Sequence, residues 1–222
     1  MNKIKTRALV LKGFRYSESS KIVTLFTRSC GKFSALIKGV RRQNSKLSGA
    51  FETFNLIEII YDKNQKKELQ KIFLAECINE FSALKNDLGK LALGYKILDY
   101  INSFNEEFDT NTELFDFTVK ILELINSNCK METEDVNILF LEKLSNYLGF
   151  HFSNSKNYFE TFNINFAFNI NEVYNSNFNY AVEKKSEYIL KDELSKKQLI
   201  EIMENEIVCN LGIAKKLITS KI

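Results

Sequence analysis

Near residue 75 the spacing of apolar side chains changes from a period of two to one near 3.6, so the chain must supply a β structure first and a helical one after it. Thr6 to Phe14, Lys21 to Arg28, Lys32 to Gly39, Phe54 to Tyr61 and Leu69 to Ala75 are rich in Ile, Val, Leu, Phe and Thr. They are punctuated by turn residues such as Gly13, Ser17, Ser29-Cys30-Gly31 and Asp62-Lys63-Asn64. Five short strands predict a small barrel. In the third run Phe33, Ala35 and Ile37 alternate with Lys32, Ser34 and Lys38, which buries the first set and turns both lysines outward. The connector from Val40 to Ala50 is too polar for core and has room for about two helical turns.

Beyond residue 76, Asp87 to Phe104 carries Leu88, Leu91, Ala92, Tyr95, Leu98 and Ile101 on one helical face. Thr110-Asn111-Thr112-Glu113 reads as a capping box, opening a helix striped with Leu114, Phe117, Ile121, Leu124 and Ile125. Thr133 is placed to cap the next helix, which runs inward through Val136, Leu139, Phe140, Leu144, Tyr147 and Leu148 and stops at Gly149. Ser195 with Gln198 opens another. Between them Phe162, Ile164, Phe166, Phe168 and Ile170 alternate with Asn163, Asn165, Ala167 and Asn169, the period of a strand, and Asn175 to Phe178 can turn it back through Tyr180 to Val182. The expected architecture is α+β: a barrel domain over residues 1–80, then a helical bundle over 81–222 with a small β-hairpin inserted near 158–183.

Charge divides at the same place. The first seventy-five residues hold sixteen Lys or Arg against five Asp or Glu, while the remainder holds fifteen against twenty-three, so a net charge of +3 conceals a basic half and an acidic one. A basic domain of this kind is built to meet a polyanion, most often nucleic acid. No run of apolar residues approaches the eighteen or so of a membrane span, and the N-terminal run Ala8 to Leu11 is too short for a signal-peptide core. A cytoplasmic location without membrane attachment follows as the expectation. The four cysteines, Cys30, Cys77, Cys129 and Cys209, are too widely spaced for a zinc knuckle and fit a reducing compartment.

No nucleophile elbow, phosphate-binding glycine loop or paired histidines occur, so no catalytic residue, cofactor or metal ligand is assigned. The single histidine, His151, follows a helix end where an imidazolium meets the helix dipole favourably. Glu106, Glu107 and Asp109 read as a solvated acidic connection, with a metal-dependent nuclease as the remote alternative. The stronger lead is cationic. Lys12, Arg15, Lys21, Arg28, Lys32, Lys38, Arg41, Arg42 and Lys46 are the candidate DNA-binding residues, interleaved with Phe14, Tyr16, Phe26 and Phe33. Cations for phosphates and aromatic faces for bases are what single-strand binding requires. Phe26 and Phe33 lie in strand patterns, where burial in the core is the competing assignment.

The run Tyr16-Ser17-Glu18-Ser19-Ser20-Lys21-Ile22-Val23-Thr24-Leu25-Phe26-Thr27-Arg28, followed by Gly31 to Arg42, resembles the start of the bacterial DNA repair and recombination protein RecO family. Ala8 to Leu11 and Ser48-Gly49-Ala50-Phe51 extend the likeness. Asn210-Leu211-Gly212 and Lys216 to Lys221 are similar to the family's C-terminal end, which leaves a weak middle. The resemblance implies an N-terminal OB fold, a helical second domain and no catalytic site. It implies a recombination mediator that binds single- and double-stranded DNA, anneals complementary strands, associates with RecR and single-strand-binding protein, and through them helps RecA load. A competing expectation is a protein-interaction scaffold that chiefly docks single-strand-binding protein through its helical domain. Many family members carry a four-cysteine zinc site after the helix that ends here at Gly149-Phe150, yet residues 150–190 contain no cysteine. Zinc is therefore not expected.

Overall fold

The computed structural model describes residues 3–40, 49–64, 67–127, 132–149 and 193–211, and the chain divides into two compact units, residues 1–123 and 124–222. In the first unit β1 (Lys3–Arg15), β2 (Lys21–Thr27), β3 (Gly31–Ile37), β4 (Leu56–Asp62) and β5 (Leu69–Asn79) close a barrel in the order β1-β2-β3-β5-β4. All neighbours are antiparallel except β3 and β5. The expected barrel is therefore present, with β1 and β5 longer than the sequence runs that foretold them.

β1 serves two partners. It pairs with β4 from Lys3 to Leu9 and with β2 from Ala8 to Arg15, and the register shifts between Val10 and Lys12. The extra residue is a bulge, which bends the strand around the barrel. It also reverses the alternation: Ala8 and Val10 face the core, whereas Lys12 and Phe14, two and four residues on, are exposed. Without it, both would be directed into the barrel.

The interior is filled by Val23, Leu25, Phe33, Ala35, Ile37, Ile57, Ile59 and Tyr61, with the Phe33 and Tyr61 rings stacked at 4.7 Å. Burial of each large apolar side chain stabilises the fold by about 1.5–3 kcal/mol. β3 keeps the inward alternation expected of it, and β2 does not: every residue from Ile22 to Thr27 is buried. The chain that follows the barrel covers its outer face. Phe115 packs on Phe26 with ring centroids 5.5 Å apart, and the Phe108 N–H donates to the Lys32 carbonyl at 2.8 Å. Gly31 permits this approach. It has φ +67, and a Cβ there would lie 2.1 Å from the carbonyl oxygen of Asp109.

Three helices follow the barrel: α1 (Ser82–Lys85), α2 (Leu88–Phe104) and α3 (Thr112–Asn126). Asp87 caps α2 by accepting from the Lys90 N–H at 2.9 Å. The α3 cap differs from expectation. Asn111 rather than Thr110 accepts the Leu114 N–H, at 2.9 Å, while the Thr112 hydroxyl donates to the Arg28 carbonyl at 3.1 Å. An amide side chain one residue later outcompetes the hydroxyl, and the neighbouring threonine is drawn to the barrel.

In the second unit α4 (Thr133–Tyr147) packs against α5 (Glu193–Leu211). Thr133 is the first helical residue rather than the cap, a position held by Glu132, and α5 starts two residues before the expected Ser195. Lys196, almost fully buried, explains both shifts: its ammonium lies 2.8 Å from Glu132 and 2.7 Å from Asp135, tying the starts of the two helices together. Gly149 ends α4 at φ +89, as its sequence position suggests. The expected hairpin near 158–183, the helix in the connector, and His151 lie outside the described residues.

Candidate nucleic-acid interface

One end of the barrel gathers the C-terminal end of β1, the start of β2 and the end of β3, because Phe14 pairs with Ile22 and Ile22 with Leu36. The β1–β2 hairpin is closed by N–H groups of Tyr16 and Ser17 donating to the Ser20 carbonyl at 3.1 and 3.4 Å. On this support Phe14 and Tyr16 stand 54% and 61% exposed, an unusual position for two aromatic rings with a cation, Arg15, between them. Lys12 lies one pleat away on the same outer face and Lys38 directly follows β3; both are exposed. Five of the side chains singled out from sequence thus share one surface: Lys12, Phe14, Arg15, Tyr16 and Lys38.

Three other candidate cations are engaged with the protein itself. The Lys21 ammonium donates to the Phe51 carbonyl at 2.7 Å and to Glu52 at 3.1 Å. Arg28 forms two parallel 2.8 Å hydrogen bonds to both oxygens of Asp116. Lys32 does sit on the outer face of β3, but its ammonium reaches the Asn102 carbonyl at 2.5 Å. Burial pulls the Lys32 pKa below the ordinary lysine value, nearby Glu107 opposes that shift, and nearby Lys12 adds to it. Phe26 and Phe33 are fully buried, one under Phe115 and one inside the barrel. Arg41, Arg42 and Lys46 lie outside the described residues.

The two halves of the sheet thus differ in exposure. Near Phe26 and Lys32, Asn102, Phe108 and Phe115 lie against the outer face, whereas Phe14, Tyr16 and Lys38 are exposed. Sequence reading missed the cations at the start of β1. Lys3, Lys5 and Arg7 alternate with Ile4, Thr6 and Ala8 and are all exposed, a period-two signal that was available one turn before the run at Thr6. Lys5 is paired with Glu58 at 2.7 Å. With Thr6, Arg7, Arg28, Ser29 and Asp116 it lines an open polar groove of about 530 Å³. Glu106, Glu107 and Asp109 are exposed, and among the described residues no group of three or more His, Cys, Asp or Glu is placed to hold a metal ion. No described helix is long and apolar enough to cross a membrane.

A five-stranded Greek-key barrel closed through a parallel β3–β5 pair is an OB fold, a class whose barrel faces and loops serve as binding surfaces for oligonucleotides and oligosaccharides. Residues 1–81 match the family described as recombination protein O N terminal. The chain is 34% identical over 147 residues to the DNA repair protein RecO of Chlorobium limicola, an alignment covering 66% of this chain and 56% of that protein. It is 35% identical over 150 residues to the DNA repair protein RecO of Caldanaerobacter subterraneus subsp. tengcongensis, covering 68% and 60%. With the protein of the same name from Desulfatibacillum aliphaticivorans it shares 33% over 142 residues, covering 64% and 55%. The chain thus spans little more than half the length of the curated relatives it matches. Its barrel lies within the stretch that matches the N-terminal domain of the RecO family, and the resemblance drawn from Tyr16 to Arg42 holds.

Proposed function

We propose that the chain is a non-enzymatic, DNA-binding mediator of recombination in DNA repair, and that DNA meets it at the open end of the barrel. The observation that carries this reading is the exposure of Phe14 and Tyr16 beside Lys12, Arg15 and Lys38 on adjoining strands and their turns. Phosphates are drawn to the cations, and unstacked bases find aromatic faces held by a rigid hairpin, a combination that tolerates any sequence. Duplex DNA, whose bases are already stacked, would use the cations alone. The connector with Arg41, Arg42 and Lys46 begins where β3 ends and belongs to the same proposal.

The likeness to RecO supplies the finer roles: annealing of complementary strands, association with RecR and with single-strand-binding protein, and indirect assistance to RecA loading in the cytoplasm. Within this reading residues 1–80 are the DNA-binding part, while annealing and docking of single-strand-binding protein draw on residues 81–222. The test is a titration of labelled oligothymidine and of a duplex with the full chain at several salt concentrations. Each phosphate contact contributes about 0.7 to the log-log salt slope on single strands and about 0.9 on duplex. Tight binding at low salt with a steep slope supports the reading. Absence of binding, or binding indifferent to salt, rejects it.

A further inference from the structure

We propose that Phe73, Lys3 and Lys71 form a second contact station for single-stranded nucleic acid, engaging the same strand that meets the hairpin of Phe14 and Tyr16; this rests on the function proposed above. The strand register links the two stations through one row of paired residues. Phe14 pairs with Ile22, Ile22 with Leu36, and Leu36 with Lys71, a row that runs outward-facing across β1, β2, β3 and β5. Three interstrand steps of about 4.8 Å separate its ends by roughly 14 Å. Buried Ile22 and partly buried Leu36 lie along the path, so a strand reaching from one end to the other crosses an apolar stretch of sheet rather than an acidic one.

The far end of the row carries a partly exposed ring, Phe73. Ile60 pairs with Leu74 but Tyr61 with Ile72, so Phe73 is the extra residue of a bulge, a device that re-aims a side chain out of the ladder. The Lys3 and Lys71 ammoniums lie 5.2 and 5.1 Å from the centre of its ring. Among the described residues neither lysine is ion-paired, unlike Lys5, Lys21 and Arg28. Asp62 stands between them in the strand register, which leaves the group positive.

Exposed cation–π contacts are weak, so the flexible lysine stems can move to phosphates while a base takes the ring face. A base flanked by two phosphates is the ligand this geometry complements. A duplex has no unstacked base to offer.

The experiment compares full-length variants by fluorescence anisotropy on a twenty-residue oligothymidine and on a duplex, with folding checked by circular dichroism. Phe73→Leu keeps apolar bulk but removes the aromatic face. It is expected to weaken single-strand binding roughly five- to hundred-fold without altering the salt slope, to spare duplex binding, and to be rescued by Phe73→Tyr. Lys3→Ala with Lys71→Ala is expected to reduce the slope by about 1.4, and it keeps the test decisive should Phe73→Leu misfold. Binding unchanged in the folded variants, with Phe14→Ala and Tyr16→Ala still weakening it, overturns the second station and leaves the proposed function standing. Failure of the wild-type chain to bind oligothymidine removes both.

Discussion

Asp116 holds Arg28 in the two-pronged arrangement that a guanidinium offers to phosphate, so the carboxylate and a DNA backbone compete for one fork. Asp116→Asn keeps the shape and removes the charge. The pair is partly solvated, with side chains 48% and 34% exposed, so its loss should cost no more than about 1 kcal/mol of stability. For a chain of this length that lowers the melting temperature by only about 2–4 °C. The Arg28 backbone remains anchored, since its N–H donates to the Arg7 carbonyl at 3.0 Å and its carbonyl accepts from Thr112 at 3.1 Å. No longer neutralised by Asp116, the guanidinium can then make one phosphate contact. Single-strand affinity should rise, and the salt slope should steepen by up to about 0.7. The assay is a double-mutant cycle by anisotropy: Arg28→Ala should abolish the gain in the Asp116→Asn background yet change little in the wild type. If Arg28→Ala alone reduces the wild-type slope by about 0.7, DNA already displaces Asp116 and the reasoning fails.

Arg41→Ala with Arg42→Ala should weaken single-strand binding and lower the slope by about 1.4 without loss of fold; unchanged affinity and slope would exclude the connector from the site. Because the cysteines lie 47, 52 and 80 residues apart, the purified protein should contain no stoichiometric zinc, and a chelator should not shift its melting temperature; elemental analysis finding about one zinc per chain would contradict this. In the second unit burial pushes the Glu142 carboxyl up from 4.5 to about 7, so the folded state holds a proton that the unfolded chain releases. Stability should therefore decline as pH rises from about 4.5 through 7, and Glu142→Gln should flatten that decline in thermal melts, which an unaltered pH profile would refute.

The barrel was legible because its strands carry their own periodicity, and the helices because long stripes such as Val136 to Leu144 read at 3.6. The candidate cations were legible only as a set. Which of them face solvent depends on partners far along the chain: Lys21 on Phe51, Lys32 on Asn102, Arg28 on Asp116, separations of 30, 70 and 88 residues. No local pattern encodes those pairings. Burial of Phe26 on the outer face of β2 was hidden for the same reason, since Phe115 covers it. The exposure of Lys12 and Phe14 turns on one bulge at Leu11, a residue as apolar as any strand interior, so nothing in its own chemistry marks it. The Phe73 cluster escaped notice because Lys3 and Lys71 are brought together only by the pairing of β1 and β5 through β4.

The open end of the barrel as the DNA surface is tested most directly by Lys12→Ala, Arg15→Ala and Lys38→Ala combined in the full chain. Its single-strand salt slope is to be measured beside that of the wild type, with folding checked by circular dichroism. Loss of three phosphate contacts should reduce the slope by about 2 with the fold intact. A folded triple variant that keeps the wild-type affinity and slope would place the DNA elsewhere.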